Sequence, residues 1–125
     1  MKQSIVCPKA PAAIGPYCHA TVSGGLMFIS GTLGIDPTTG KLKESVEEQA
    51  SQIMQNLEAI LSEVGANLQN ALKATIFLTD LGNFAAVNKI YGDAFNGVYP
   101  ARSCIEVSKL PAGAAVEIEL IAELP

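Results

Sequence analysis

Apolar residues recur at three- and four-residue intervals between positions 46 and 64: Val46, Ala50, Ile53, Met54, Leu57, Ile60, Leu61 and Val64. That spacing puts them on one wide stripe of an α-helix, with Gln49, Gln52, Gln55 and Glu63 mostly on the other side. Ser45 and Glu48 stand at capping-box spacing before the stripe, and Gly65 follows it as a stop. A second helical pattern places Phe84, Val87, Ile90, Tyr91 and Phe95 on one face, with Asn83 as its expected cap and an end near Gly97.

Elsewhere the period shortens to two. His19–Ser23 and Leu26–Ser30 flank Gly24-Gly25, a pair suited to the positive φ angles of a hairpin turn, so two antiparallel strands are predicted. A short strand precedes them, separated by a stiff loop with prolines at 8, 11 and 16. Asp36-Pro37-Thr38-Thr39-Gly40 reads as a turn. Ala74–Thr79 is β-branched and apolar enough to be a central strand buried on both faces. Two further strands alternate: Ser103, Ile105 and Val107 against Arg102, Cys104 and Glu106, then Ile118, Leu120, Ala122 and Leu124 against Glu117, Glu119, Ile121 and Glu123. The predicted order is β-β-β-α-β-α-β-β, an α+β domain spanning residues 1–125 whose mixed sheet carries both helices on one face.

Composition adds a second inference. Hydrophobic residues make up 49% of the 125, enough for a core, but charged residues only 16%, against about 25% in an average soluble domain. Low charge and a sheet face without helices both point to association between copies. The net charge is −4, and the eight basic residues are scattered, with no stripe to follow a phosphate backbone; nucleic acid is therefore not expected as the primary ligand. No apolar run approaches the roughly 20 residues of a membrane span, and the first residues lack the apolar stretch of a secretory signal, so the cytoplasm is the expected compartment and no membrane partner is expected. The three cysteines are far apart and His19 is alone, leaving no zinc pattern.

Arg102 follows Pro100-Ala101 at a strand entrance, where a planar guanidinium is well placed to clamp a carboxylate with two parallel hydrogen bonds. Residue chemistry alone favours a surface arginine in a minor ion pair, and it allows Glu117 and Glu119 as the solvated face of their strand. Larger patterns separate these readings. Pro100-Ala101-Arg102-Ser103-Cys104-Ile105-Glu106-Val107, then Leu110-Pro111 and Val116-Glu117-Ile118-Glu119, resemble the signature of the reactive intermediate deaminase (RidA-like, YjgF-type) family. So do Ala12-Ala13-Ile14-Gly15-Pro16-Tyr17, Ile29-Ser30-Gly31, Asp36-Pro37 with Gly40, and Asp80-Leu81 followed by Phe84, Val87, Asn88 and Tyr91. These segments run in family order through nearly the whole chain.

The resemblance implies a chorismate-mutase-like fold and a homotrimer with sites in the clefts between subunits. It implies hydrolysis of 2-imino or enamino acids, such as 2-aminoacrylate and 2-aminocrotonate, to 2-oxo acids and ammonia without metal or cofactor. On this resemblance Arg102 would grip the substrate carboxylate and Glu117 would manage the proton and the attacking water. Tyr17, Ser30, Gly31 and Asn88 would line the pocket, and Cys104 would contribute through its backbone. Thr32 stands where the family commonly has Gln, a departure that bears on substrate range. The rival reading is a non-catalytic protein that binds or senses a 2-oxo acid in the same clefts. A ribonuclease activity, attributed to some relatives, fits the acidic balance poorly.

Overall fold

Prolines at 8, 11 and 16 keep the early chain out of regular structure, and the first strand is accordingly short. A computed structural model describes all 125 residues. Strand β1 (Gln3–Ile5) pairs antiparallel with β2 (Ala20–Ser23), which turns through Gly24 and Gly25 into β3 (Leu26–Leu33). Both turn glycines have positive φ, +59° and +80°, a conformation that costs other residues a Cβ clash. Helix α1 (Val46–Ser62), β4 (Ala71–Leu78), α2 (Phe84–Asp93), β5 (Ala101–Glu106) and β6 (Val116–Glu123) complete the predicted order. The six strands form one mixed sheet ordered β1-β2-β3-β6-β4-β5, antiparallel throughout except for β4 against β5, which α2 connects.

Both helices lie on one face. The buried stripe of α1, including Ile53, Leu57, Ile60 and Leu61, meets Met27 and Ile29 of β3 and Ile118 and Leu120 of β6 in the main core. Each such side chain taken fully out of water stabilises the fold by roughly 1.5–3 kcal/mol relative to exposure. At the N-terminus of α1, Ser45 Oγ accepts from the Glu48 N–H at 3.1 Å and Glu48 Oε1 accepts from the Ser45 N–H at 3.2 Å, as the capping box predicts.

Three expectations are corrected. Gln49 and Gln52, expected on the outer side of α1, are buried together with Asn56. Gln49 Nε2 donates to the Lys43 carbonyl at 3.0 Å, and its Oε1 accepts from the Ala115 N–H at 2.9 Å. Gln52 donates to Asn56 Oδ1, and Asn56 Nδ2 donates to the carbonyls of Leu33 and Ile35 at 3.1 and 3.0 Å. The carbonyls of Leu33, Ile35 and Lys43 and the N–H of Ala115 reach this side of α1, and the amide side chains supply donors and an acceptor to them. A buried polar group left unpartnered costs about 1–3 kcal/mol, which outweighs the preference of an amide for water.

Strand β4 is not buried on both faces: Ala74, Ile76 and Leu78 are buried, whereas Thr75 and Phe77 are half-buried on the side away from the helices. No second layer covers that side within the chain. Phe28 and Ile105, 44% and 46% exposed, lie on the same open face, Phe28 beside Ile121 and Ile105 beside Phe77. Asn83 makes no capping hydrogen bond to α2. A single turn of 3₁₀ helix, Leu81–Asn83, runs directly into α2, and the capping role moves upstream to Asp80, whose Oδ1 accepts from the Gly82 N–H at 2.8 Å.

Candidate functional site

Sheet register decides where the chemistry-bearing side chains point. Arg102 pairs with Ala74, which is fully buried under the helices, so Arg102 rises on the helix side of edge strand β5. Glu117 pairs with Phe77 and stands on the opposite, open side of β6. The named residues accordingly form two groups, and one chain does not bring them together.

Arg102 Nη1 donates to Asn88 Oδ1 at 2.7 Å. The guanidinium carbon sits 5.1 Å from the Tyr91 ring centroid and 5.6 Å from that of Phe84. Phe84, Asn88 and Tyr91 are spaced four and three residues apart on α2, so one helix face cradles the cation. Neither ion pair in the chain, Lys43 with Asp36 or Lys89 with Asp93, involves Arg102. Its charge is thus oriented but unneutralised beside a cavity of about 300 Å³ lined also by Tyr99 and Pro100. Tyr91 is buried, its hydroxyl has no partner, and burial pushes its pKa up to about 12 against the opposing charge of Arg102.

Glu117 opens into a second cavity of about 320 Å³ together with Tyr17, Ser30, Gly31 and Thr32. Burial raises its carboxyl above the ordinary value, and the charge of Glu119, two residues along the same face, adds to the effect. Ser30 Oγ donates to the Cys18 carbonyl at 2.7 Å, which leaves its oxygen free to accept. Tyr17 is 46% exposed, and its hydroxyl oxygen accepts from the Ile14 N–H at 3.3 Å, leaving the phenolic proton available to donate. Thr32 Oγ1 is turned back onto the Ser30 carbonyl at 3.0 Å.

Gly31 permits this arrangement through its missing side chain. A Cβ there would lie 2.7 Å from Glu117 Oε2 and 2.8 Å from its Cδ. Its backbone φ is not in the left-handed region, so alanine fits the chain itself. Gly31→Ala is expected to leave the thermal midpoint within a few degrees of the parent while displacing the Glu117 carboxylate. A loss of turnover of at least about tenfold is the expected readout, since small misplacements of a catalytic group carry costs of that order or more. Unchanged turnover would separate Glu117 from the chemistry.

Cys104 pairs with Ile76 on the helix side and is half-buried. Burial pushes its thiol up, partly offset by Arg102, which disfavours the thiolate a nucleophile needs. It lines neither cavity. No three His, Cys, Asp or Glu side chains gather as a metal-ligand set. The sequence pattern gives Phe84 and Tyr91 only a place on the apolar face of α2, whereas in the structure both rings also lie against the Arg102 guanidinium. Their spacing from Asn88 was the available signal.

A family model described as Endoribonuclease L-PSP matches residues 7–124. The RutC family protein y4sK of Sinorhizobium fredii is 46% identical over 125 residues, covering 99% of both chains. The 2-iminobutanoate/2-iminopropanoate deaminase of Salmonella typhimurium is 42% identical over 125 residues, covering 98% of both. The crystal structure of E. coli TdcF with bound serine is similar at a TM-score of 0.93 and 36% identity, over 98% of this chain and 99% of that one.

Proposed function

This chain belongs to the Rid (YjgF-type, Endoribonuclease L-PSP) family, and on that premise we propose that it hydrolyses 2-imino acids to 2-oxo acids and ammonia in clefts between its own copies. The observation that carries the reading is that one chain holds both an unneutralised, preorganised guanidinium and a desolvated carboxyl, each at its own cavity. A carboxylate-bearing electrophile that reacts with water needs those two groups. The bound serine of TdcF is likewise a small α-carboxylate, which favours Arg102 as the clamp.

Arg102 takes the substrate carboxylate with the edge of its fork that Asn88 leaves free. Protonation of the imine nitrogen makes its carbon electrophilic. Water adds to that carbon while Glu117 accepts one of its protons, giving a carbinolamine. The proton then passes from Glu117 to the nitrogen, ammonia departs with the C–N bonding pair, and the remaining hydroxyl returns its proton to the Glu117 carboxylate as it becomes the 2-oxo group. Tyr17 and Ser30 supply a donor and an acceptor beside the reacting atoms.

Because Arg102 and Glu117 lie on opposite faces of the sheet, a complete site requires a second copy to bring its Glu117 cavity to the Arg102 cavity of the first. The open face with Phe28, Phe77, Ile105 and Ile121 offers the apolar contact for it, and the assembly we propose is a homotrimer. With a net charge of −4 and scattered basic residues, the chain has no track for a nucleic-acid backbone, whatever the family description says of ribonucleases.

The test is ammonia release from 2-aminoacrylate generated in place by a serine dehydratase, with light scattering on the same sample. Acceleration by particles of three chains is expected. Absence of acceleration with retained binding of a 2-oxo acid would make the protein a metabolite-binding module instead.

A further inference from the structure

His19 is buried, 8% exposed, and lines the Glu117 cavity. Its main chain belongs to the sheet: its N–H donates to the Ile5 carbonyl at 3.1 Å, and its carbonyl accepts from the Ser30 N–H at 3.0 Å. Its ring reaches the other way. The Cys7 N–H donates to Nδ1 at 2.8 Å, and Nε2 lies 2.7 Å from the Pro11 carbonyl. A peptide N–H can only donate and a carbonyl can only accept, so Nδ1 is the acceptor and Nε2 carries the proton. One neutral tautomer satisfies both.

Apart from the packing of Cys7 and Ala10 in the core, the segment held this way has few ties to the rest of the chain. From Cys7 to Tyr17 its remaining hydrogen bonds are internal, apart from the Cys7 thiol, which donates to the Ala59 carbonyl at 3.4 Å. The prolines at 8, 11 and 16 lack N–H groups and leave few donors for further ties. Yet Ala10, Pro11, Ala12, Ile14 and Tyr17 form one wall of the cavity that Glu117 enters. We infer that His19 is a positioning residue for that cavity: its ring fixes the wall from Ala10 to Tyr17, and with it the affinity for substrate.

The inference rests on the cavity being part of the imino-acid site, so the test carries one readout that does not depend on that reading. His19→Phe keeps a ring of similar size but strips the partners from the Cys7 N–H and the Pro11 carbonyl. His19→Gln offers one acceptor and one donor at a spacing close to that of the two ring nitrogens. Hydrogen exchange should accelerate at the bonded amides of Cys7, Ala10, Ile14 and Tyr17 in His19→Phe, and stay near the parent rate in His19→Gln. KM for 2-aminoacrylate, or Kd for a 2-oxo acid, should rise about tenfold in His19→Phe with kcat changed far less, and be restored within about twofold by His19→Gln.

Unchanged exchange in His19→Phe overturns the inference, because the wall then holds without the ring. Faster exchange with unchanged affinity overturns it as well, because the wall then plays no part in binding. A parent that binds 2-oxo acid without releasing ammonia sinks the deaminase reading alone, and the exchange and Kd comparison still decides for or against His19. Should His19→Phe fail to fold, His19→Gln remains decisive: a tenfold loss of affinity there, with Cys7 exchange unchanged, would show that the two hydrogen bonds are not what positions the site.

Discussion

Glu117→Gln is expected to lower kcat by roughly 10²–10⁴-fold, the scale lost when general acid–base help is removed. An amide keeps the shape of the carboxyl but cannot take a proton from water, so KM should change little and the loss should appear in turnover. The same substitution has a pH signature of known sign. Burial and the neighbouring Glu119 raise the Glu117 carboxyl, so the folded chain holds this proton more tightly than the unfolded chain. Its contribution to stability is fully present below the unfolded-state value and is lost as pH rises through the folded value. Across that window the parent should lose thermal stability relative to Glu117→Gln. Turnover runs the other way: parent kcat should climb over the same window as the carboxylate forms, while the variant stays low and flat. Parallel kcat and melting profiles of the two proteins check both limbs. Parent-like turnover in the variant would leave Glu117 a strand residue and the cavity a place for binding only.

Arg102→Lys conserves charge and still should cost kcat/KM roughly 10- to 10²-fold. An ammonium cannot present a planar fork, stack between Phe84 and Tyr91, and hold Asn88 Oδ1 together, as the guanidinium does. A charge-assisted hydrogen bond is worth about 1.5–3 kcal/mol, which sets that range. Arg102→Ala should fall further and weaken binding of a 2-oxo acid product, readable by calorimetry. Arg102 is an exposed side chain, so unfolding temperature should stay near the parent in both. If Arg102→Lys binds and turns over like the parent, the carboxylate is clamped elsewhere. The two positions thus separate on different axes, Glu117 on the chemical step and Arg102 on binding and orientation.

Much of the architecture is legible before any coordinate. The capping box at Ser45, the apolar stripe of α1, the Gly24-Gly25 turn and the alternation along β6 each report a local physical rule: 3.6-residue periodicity, orphan N–H groups, positive φ, two-residue pleat. Chain order follows from these alone. Periodicity failed at Gln49 and Gln52, because an amide looks like solvent-facing polarity in a linear pattern. Only packing reveals the peptide groups of Leu33, Ile35, Lys43 and Ala115 that Gln49 and Asn56 bond, with Gln52 bonding Asn56 in turn. It failed likewise for β4, whose apolar run implied two buried faces. In the single chain its second face is open, with Phe77 beside Ile105.

The site divides along the same line. The identities of Arg102, Glu117, Tyr17, Ser30, Gly31 and Asn88 are carried by motifs, and the sequence by itself determined which residues to consider and to which family the chain belongs. Their arrangement depends on long-range register, which no local pattern contains. Pairing Arg102 with Ala74 and Glu117 with Phe77 puts the cation and the carboxyl on opposite faces. Only the tertiary structure decided that, and it decided equally that one helix face aims Arg102 and that a single buried imidazole ties the proline-rich segment to the sheet. The physical reason is common to all three: such contacts join residues far apart in the chain, and their free energy exists only once the sheet has closed between them.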